Sequence, residues 1–193
     1  MNVEFEFRQC QPSPTRWPPL TQRPARSMAI GGSSAGGGIS LSAVQQLIEM
    51  DVDVPGALFT GTPGSDLSGT GDTFYTNRGV DRNIPIYDGM IEAMIRLYAD
   101  GRDLKDPLIS PIYGDFHGFP PTILATGTRD LFLSNCTRLH RKLRKDGVPA
   151  SLSLWEGMWH AFQITPGLPE AREALEELAA FLPNPAAYFS PDR

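Results

Sequence analysis

Cysteine, histidine and long apolar runs are scarce in this sequence, and these shortages exclude several classes of protein. The 193 residues include two cysteines, Cys10 and Cys136, which are too few for a disulfide framework. No apolar stretch approaches the roughly 20 residues that a membrane-spanning helix needs. The formal net charge of −5 lacks the basic excess that is typical of nucleic-acid-binding proteins. We therefore expect a protein without a membrane span and without a nucleic-acid partner.

The chain has enough apolar residues for a core, and its proline content divides it in two. Hydrophobic residues make up 40% of the sequence. The first eight residues lack the basic-then-apolar pattern of a signal peptide, which predicts a cytoplasmic location with both thiols reduced. Residues 1–25 are proline-rich and predicted to be irregular, apart from a short strand-like alternation at Val3, Phe5 and Phe7. Residues 26–193 form the predicted main domain, with a cap-like surface excursion over 61–110.

Short apolar strands alternate with amphipathic helices from residue 26 onwards. The predicted strands are 26–31, 57–60, 122–126 and 151–155. Helices are predicted after residue 34, around Ile91 to Tyr98, over 131–145 and over 168–182. This alternation is typical of the α/β class, in which a mostly parallel sheet is covered by helices on both faces.

The strongest local signal is a G-x-S-x-G pattern at residues 32–36, between a predicted strand and a helix. Such a sharp strand-to-helix turn exposes the hydroxyl of its central serine, Ser34. The N–H of Ala35, at the helix N-terminus, would stabilise an oxyanion. The alternative without a nucleophilic serine is a glycine-rich turn or a phosphate loop. The lysine of a P-loop is missing, which disfavours the phosphate loop.

A nucleophilic serine needs a base and an orienting acid, and one candidate for each follows a predicted strand. His160 follows the last strand, and Asp130 follows the third. The order Ser34, Asp130, His160 is that of the α/β-hydrolase triad. The alternative for His160 is a histidine packed in the core, and the alternative for Asp130 is a helix N-cap. His117 is interpreted as local loop structure and His140 as a solvated side chain of the basic helix. Weaker candidates for the acid, outside any strand end, are Asp100, Asp103 and Asp106. No metal-ligand spacing and no dinucleotide fingerprint is present, so we expect no metal and no cofactor.

Four ordered motifs resemble the hormone-sensitive-lipase branch of the α/β-hydrolases. They are G-S-S-A-G-G at 32–37, D-P-L-I-S-P at 106–111, P-P-T at 120–122 with Gly127 and Asp130, and E-G-M-W-H-A-F at 156–162. The resemblance implies a partial α/β-hydrolase fold. It also implies hydrolysis of short to medium acyl esters of small molecules, through an acyl-serine intermediate and without a metal. Carried over by position, Ser34 is the nucleophile, Asp130 the acid and His160 the base. Phe74, Tyr75, Met94 and Tyr98 are candidates for the lining of the pocket.

The sequence departs from this branch before the serine. Ser33 stands where aspartate is usual, only 33 residues precede Ser34, and none of them reads H-G-G. The resemblance therefore covers the C-terminal part of such a hydrolase. We expect the serine strand to be outermost, the chain to self-associate through that edge, and ester turnover to be impaired.

Two other functions stay open at this point. The first is a serine peptidase of the prolyl-oligopeptidase type, which also uses a G-x-S-x-G-G turn but follows a propeller-like repeat that is missing here. The second is a catalytically inactive fragment that acts as an interaction module by pairing its open sheet edge.

Overall fold

The computed structural model describes residues 23–190, so the predicted strand-like alternation at residues 3–7 and Cys10 lie outside the described part. The strands are β1 (Ala29–Ser33), β2 (Ala57–Gly61), β3 (Thr122–Gly127) and β4 (Ala150–Trp155). The helices are α1 (Ala35–Glu49), α2 (Thr73–Thr76), α3 (Met90–Ala99), α4 (Leu133–Lys145), α5 (Pro169–Phe181) and α6 (Pro185–Tyr188).

The four strands form one parallel sheet in the order β1-β2-β3-β4. Ile30 lies beside Leu58, which in turn lies beside Thr122. Parallel neighbours need a crossover connection, and α1 and α4 supply the first and the last of these. The α/β fold class is confirmed, and β1, the serine strand, is an outer strand of the described sheet, as expected.

Helices cover both faces of the sheet because successive strand residues point to opposite sides. Leu58 of β2 and Leu124 of β3 are fully buried in a cluster on one face. That cluster includes Leu41 and Val44 of α1 and Leu139 and Leu143 of α4. The preceding residues of the two strands, Ala57 and Ile123, pack on the other face against Phe181 of α5.

The first strand begins later than the sequence predicts. Residues 26–31 were expected to form it, but Ala25–Ser27 form a 3-10 helix and the strand runs from Ala29 to Ser33. The Ser27 hydroxyl donates to the carbonyl oxygen of Pro24 at 2.8 Å, which closes that 3-10 turn. Similarly, α4 begins at Leu133 and not at residue 131, because the N–H of Leu133 closes a turn on the carbonyl of Asp130.

The long connection between β2 and β3 is held to the domain by a buried carboxylate. Asp66 accepts hydrogen bonds from Ser68 and Thr70 and an ion pair from Arg138 of α4 at 2.6 Å. Burial opposes the ionisation of Asp66, but these hydrogen bonds outweigh it and hold its pKa below the usual range. This connection carries α2 and α3 across the carboxyl ends of the strands. Among residues 23–190, no helix is both long and apolar enough to cross a membrane.

Candidate active site

Ser34 lies on the strained turn between β1 and α1. Its backbone has φ 56° and ψ −120°, a region that non-glycine residues rarely adopt. The N–H of Ser34 donates to Gly61 at 2.9 Å, and its carbonyl accepts from Gly64 at 3.1 Å. A Cβ on Gly32 would lie 2.5 Å from the backbone carbon of Gly36. The turn therefore requires glycine at 32 and holds the serine backbone from both sides.

His160 bridges the serine and the acid. Its Nε2 lies 2.8 Å from Ser34 Oγ, and its Nδ1 lies 2.9 Å from Asp130 Oδ1. A carboxylate only accepts, so Nδ1 carries the proton and Nε2 accepts from the serine hydroxyl. His160 is buried, and its ring packs edge-on against Phe132 with 4.8 Å between the ring centroids. The buried ring is thus fixed in the tautomer that a general base needs.

Asp130 is completely buried and fully engaged by hydrogen bonds. Its Oδ2 accepts from the Thr126 hydroxyl at 2.6 Å, and its Oδ1 accepts from the Phe132 N–H at 2.8 Å. The second of these bonds forms part of the turn before α4, but the N-cap of that helix is Phe132, so the alternative of Asp130 as a helix N-cap is wrong. The structure brings Ser34, Asp130 and His160 together at the carboxyl ends of β1, β3 and β4.

A third buried carboxylate, Asp81, stands beside this group and was not predicted. It is 3% exposed, and its oxygens lie within 4.8 Å of ligand-type atoms of Asp130 and His160. Both of its oxygens accept backbone N–H groups, including that of His160 at 3.1 Å. Such a trio resembles a metal site, but its polar atoms are already paired with one another and with the backbone. In the sequence, Asp81 is one aspartate among the polar residues of a long loop, and no local pattern distinguishes it.

The N–H of Ala35 opens α1 directly after the serine. As the first residue of the helix, Ala35 has no intrahelical acceptor for its N–H. Ala35 is exposed and directly follows Ser34 in the chain. The role of this N–H as an oxyanion donor stays a prediction.

An apolar pocket of about 270 Å³ opens beside Ser34. Its side chains come from α1, from the connection between β2 and β3, which includes α3, and from the loop after β3, and they include Ile39, Ile84, Ile91, Met94, Tyr98 and Ile109. The predicted lining is correct for Met94 and Tyr98. It is wrong for Phe74, which is buried against Tyr87 and Phe132, and for Tyr75, which is 73% exposed to solvent.

The remaining candidates lie away from this group. His117 pairs with Asp115 at 2.5 Å on the surface, close to Asp146, and His140 contacts the carbonyl of Ala150 at 3.2 Å. Asp103 and Asp106 accept backbone N–H groups of their own loop, and Asp100 ends α3. Burial raises the pKa of the Cys136 thiol well above its usual range, which keeps the thiol protonated.

Comparisons with known proteins place these features in a family. A family model described as alpha/beta hydrolase fold matches residues 16–164. An acetyl-hydrolase of Streptomyces hygroscopicus is 31% identical over 82% of this chain and 53% of its own length. An esterase of Acinetobacter venetianus is 29% identical over 81% of this chain and 52% of its own length. The chain spans about half the length of these curated relatives.

Solved structures agree with this placement. The crystal structure of an esterase is 57% identical with a TM-score of 0.82, over 84% of this chain and 50% of that chain. An esterase from the bacterial hormone-sensitive lipase family is 32% identical with a TM-score of 0.78, over 83% of this chain and 53% of that chain. The chain therefore belongs to the alpha/beta hydrolase family, in the hormone-sensitive-lipase branch that its four motifs resemble.

Proposed function

We propose that this protein hydrolyses carboxylic esters with Ser34 as the nucleophile. The observation that carries the proposal is the continuous chain of hydrogen bonds from Ser34 Oγ through His160 to Asp130, at 2.8 Å and 2.9 Å. This chain ends at the mouth of an apolar pocket. The names of the relatives, acetyl-hydrolase and esterase, support the same reaction.

The geometry supports a two-step acyl transfer. His160 Nε2 takes the hydroxyl proton as Ser34 Oγ attacks the ester carbonyl, and the resulting imidazolium is stabilised by Asp130. The N–H of Ala35 donates to the oxyanion that forms on the carbonyl oxygen. The alcohol leaves with the proton from His160. Water then attacks the acyl-serine with His160 again as the base, which releases the carboxylic acid.

The pocket favours a neutral acyl group of short to medium length. Its volume of about 270 Å³ is at the small end for ligand sites, and none of its lining side chains is charged. A charged peptide side chain or terminus would lose its hydration in this pocket without gaining a partner. The support for an ester over the peptide substrate of a prolyl-oligopeptidase-type enzyme comes from the relatives, which are named acetyl-hydrolase and esterase.

Covalent labelling tests the assignment of the nucleophile. The wild-type protein should hydrolyse a short p-nitrophenyl ester and take up one organophosphonate adduct, found by mass spectrometry on the peptide that contains Ser34. The Ser34→Ala variant should lose the adduct and at least about 10³-fold in kcat. His160→Ala should lose kcat to a similar extent, whereas His117→Ala, at an exposed histidine, should retain it. An adduct on Ser33, or turnover that survives Ser34→Ala, would contradict the proposal.

The same experiment also tests the alternative of an inactive interaction module. A folded protein that takes up no adduct and shows no Ser34-dependent turnover would favour that alternative. Its native mass would then show whether it binds another chain.

A further inference from the structure

One turn in the connection between β2 and β3, residues 77–84, contacts both loops that carry the acid and the base. Asp81 is its centre. Its Oδ1 accepts the N–H groups of Asn83 at 2.8 Å and Ile84 at 3.0 Å, which folds the turn on itself. Its Oδ2 accepts the N–H of Leu131 at 2.7 Å and the N–H of His160 at 3.1 Å. One oxygen atom therefore links the loop after β3 to the loop after β4.

Two asparagines of the same turn complete the link. Asn83 Nδ2 donates to the carbonyl oxygen of His160 at 2.8 Å. Asn77 Nδ2 donates to the carbonyl oxygens of Asp130 at 2.9 Å and Thr128 at 3.1 Å. The 77–84 turn thus binds the N–H and the carbonyl of His160. It also binds the carbonyl of Asp130 and the N–H of the next residue.

These contacts matter because the bond between Asp130 and His160 joins two separate loops. The acid follows β3 and the base follows β4, so the distance of 2.9 Å between Asp130 Oδ1 and His160 Nδ1 depends on how those loops are held. A buried carboxylate oxygen with two N–H donors fixes both backbones at one point. A displacement of about 1 Å in such a constellation can cost about 100-fold in rate.

We propose that Asp81 is a positioning residue that sets the acid and the base at their working distance, with Asn83 and Asn77 in support. The role rests on the proposed function of Ser34, Asp130 and His160. Asp81 contacts the backbone of His160 and of Leu131, the residue after Asp130, so it acts by holding the base and the acid and not on the substrate. The connection predicted as a cap thereby also holds the catalytic loops.

The Asp81→Asn variant tests this role with almost no change in volume. An amide presents oxygen to one pair of N–H donors and its own N–H₂ group to the other pair, so one of the two pairs loses its acceptor. We expect kcat for a p-nitrophenyl acyl ester to fall about 10- to 100-fold while KM changes less than about twofold, because the apolar pocket is unaltered. Asp88→Asn is the matched control, since Asp88 is exposed, pairs only with Arg78 among the contacts described, and lies near the same turn.

A proton NMR signal reports the positioning without turnover. The Nδ1 proton that His160 donates to a buried carboxylate should appear downfield of the amide signals and be absent from His160→Ala. Asp81→Asn should shift or broaden this signal, and Asp88→Asn should leave it in place. If Asp81→Asn does not fold, Asn83→Ala tests the positioning role instead, because it removes a single hydrogen bond to the carbonyl oxygen of His160. That variant should lower kcat by about fivefold and move the same signal.

The outcomes separate this role from the proposed function. Wild-type turnover that does not depend on Ser34 would contradict the proposed function, and the NMR signal alone would then decide the role of Asp81. Ser34-dependent turnover together with an unchanged signal and an unchanged kcat in Asp81→Asn would overturn the positioning role. Equal losses in Asp81→Asn and Asp88→Asn would overturn it too, because they would reflect general damage to the connection.

Discussion

Two pairs of histidine and aspartate occur in the described part of the chain, and their surroundings give them different chemistry. In the buried pair, the side chains of His160 and Asp130 are 4% and 0% exposed. In the surface pair, His117 and Asp115 are 71% and 74% exposed although their atoms are closer, at 2.5 Å. Water screens the surface pair, and no serine hydroxyl lies on the far side of its ring. Proximity of a histidine and an aspartate is therefore insufficient to identify a catalytic pair. Burial beside Ser34 distinguishes the pair of His160 and Asp130 as the catalytic candidate.

The surface pair should titrate as a solvent-exposed ion pair. The hydrogen bond that the His117 ring donates to the Asp115 carboxylate raises the pKa of His117 above 6.5, and the hydrogen bonds that Asp115 accepts from His117 lower the pKa of Asp115 below 3.8. The raised pKa means that the stabilisation from charged His117 is complete below about pH 6.5 and is lost as pH rises through the folded value. The lowered pKa means that the stabilisation from Asp115 is present above about pH 3.8 and is lost as pH falls through the folded value.

An NMR titration of the His117 ring protons measures this pair directly. In wild-type protein the midpoint should lie above that of an exposed histidine, and Asp115→Asn should return it to about 6.5. An unchanged midpoint in Asp115→Asn would contradict the assignment. Ester turnover should be unaffected by this substitution.

Glycines at the start of α1 decide how closely that helix approaches the sheet. A Cβ on Gly37 would lie 2.2 Å from Thr60 Oγ1 of β2, whereas a Cβ on Gly36 would meet nothing within 4 Å. The two residues are neighbours in the same helical turn, but they face β2 and open space respectively. The close approach at Gly37 brings the helix N-terminus, and with it the N–H of Ala35, next to the serine turn.

Alanine at these two positions should have opposite effects on stability. Gly36→Ala should raise the free energy of unfolding by up to about 1 kcal/mol, because alanine is the better helix former. Gly37→Ala should lower it by about 1–3 kcal/mol, because the methyl group forces α1 away from β2. Urea denaturation of the two variants measures both changes. Thr60→Ala in the Gly37→Ala background should recover part of the loss, and similar effects of the two alanines would contradict this packing.

At the scale of the whole molecule, the serine strand is an outer strand of the described sheet. Within residues 23–190, β1 hydrogen-bonds to β2 alone, and Ala29 and Gly31 are exposed. An uncharged outer strand with free N–H and carbonyl groups is a template for pairing with another chain. The other outer strand, β4, has serines at 151 and 153.

The cytoplasmic location and the division of the chain at residue 25 stay predictions.

We propose that the chain self-associates through the edge of β1. Sedimentation of the 193-residue protein should show a mass that rises with concentration. Ala29→Lys places a charge on that edge and should reduce the association, whereas Ser151→Lys on β4 should leave it unchanged. A stable monomer at all concentrations, or equal effects of the two lysines, would contradict the use of this edge.

The sequence by itself determined the fold class and pointed to the three residues of the proposed triad. The turn at Ser34 is encoded within a few residues, because Gly32 is the residue that lets the chain reverse there. Asp130 and His160 were predictable because parallel strands bring their carboxyl ends to one edge of the sheet. Strand-to-helix alternation is a short-range pattern, so it can be predicted without knowledge of any distant contact.

Only the tertiary structure decided which side chains of the long connection reach the site. Phe74 and Tyr75 are adjacent aromatic residues, and the four-residue helix α2 is too short for a periodicity that would separate the buried one from the exposed one. Asp81 is separated from Leu131 by 50 residues and from His160 by 79, so no local pattern marks its bonds to their backbone N–H groups. Its role depends on the loops after β3 and β4 meeting the 77–84 turn, a convergence that exists only once the sheet has assembled.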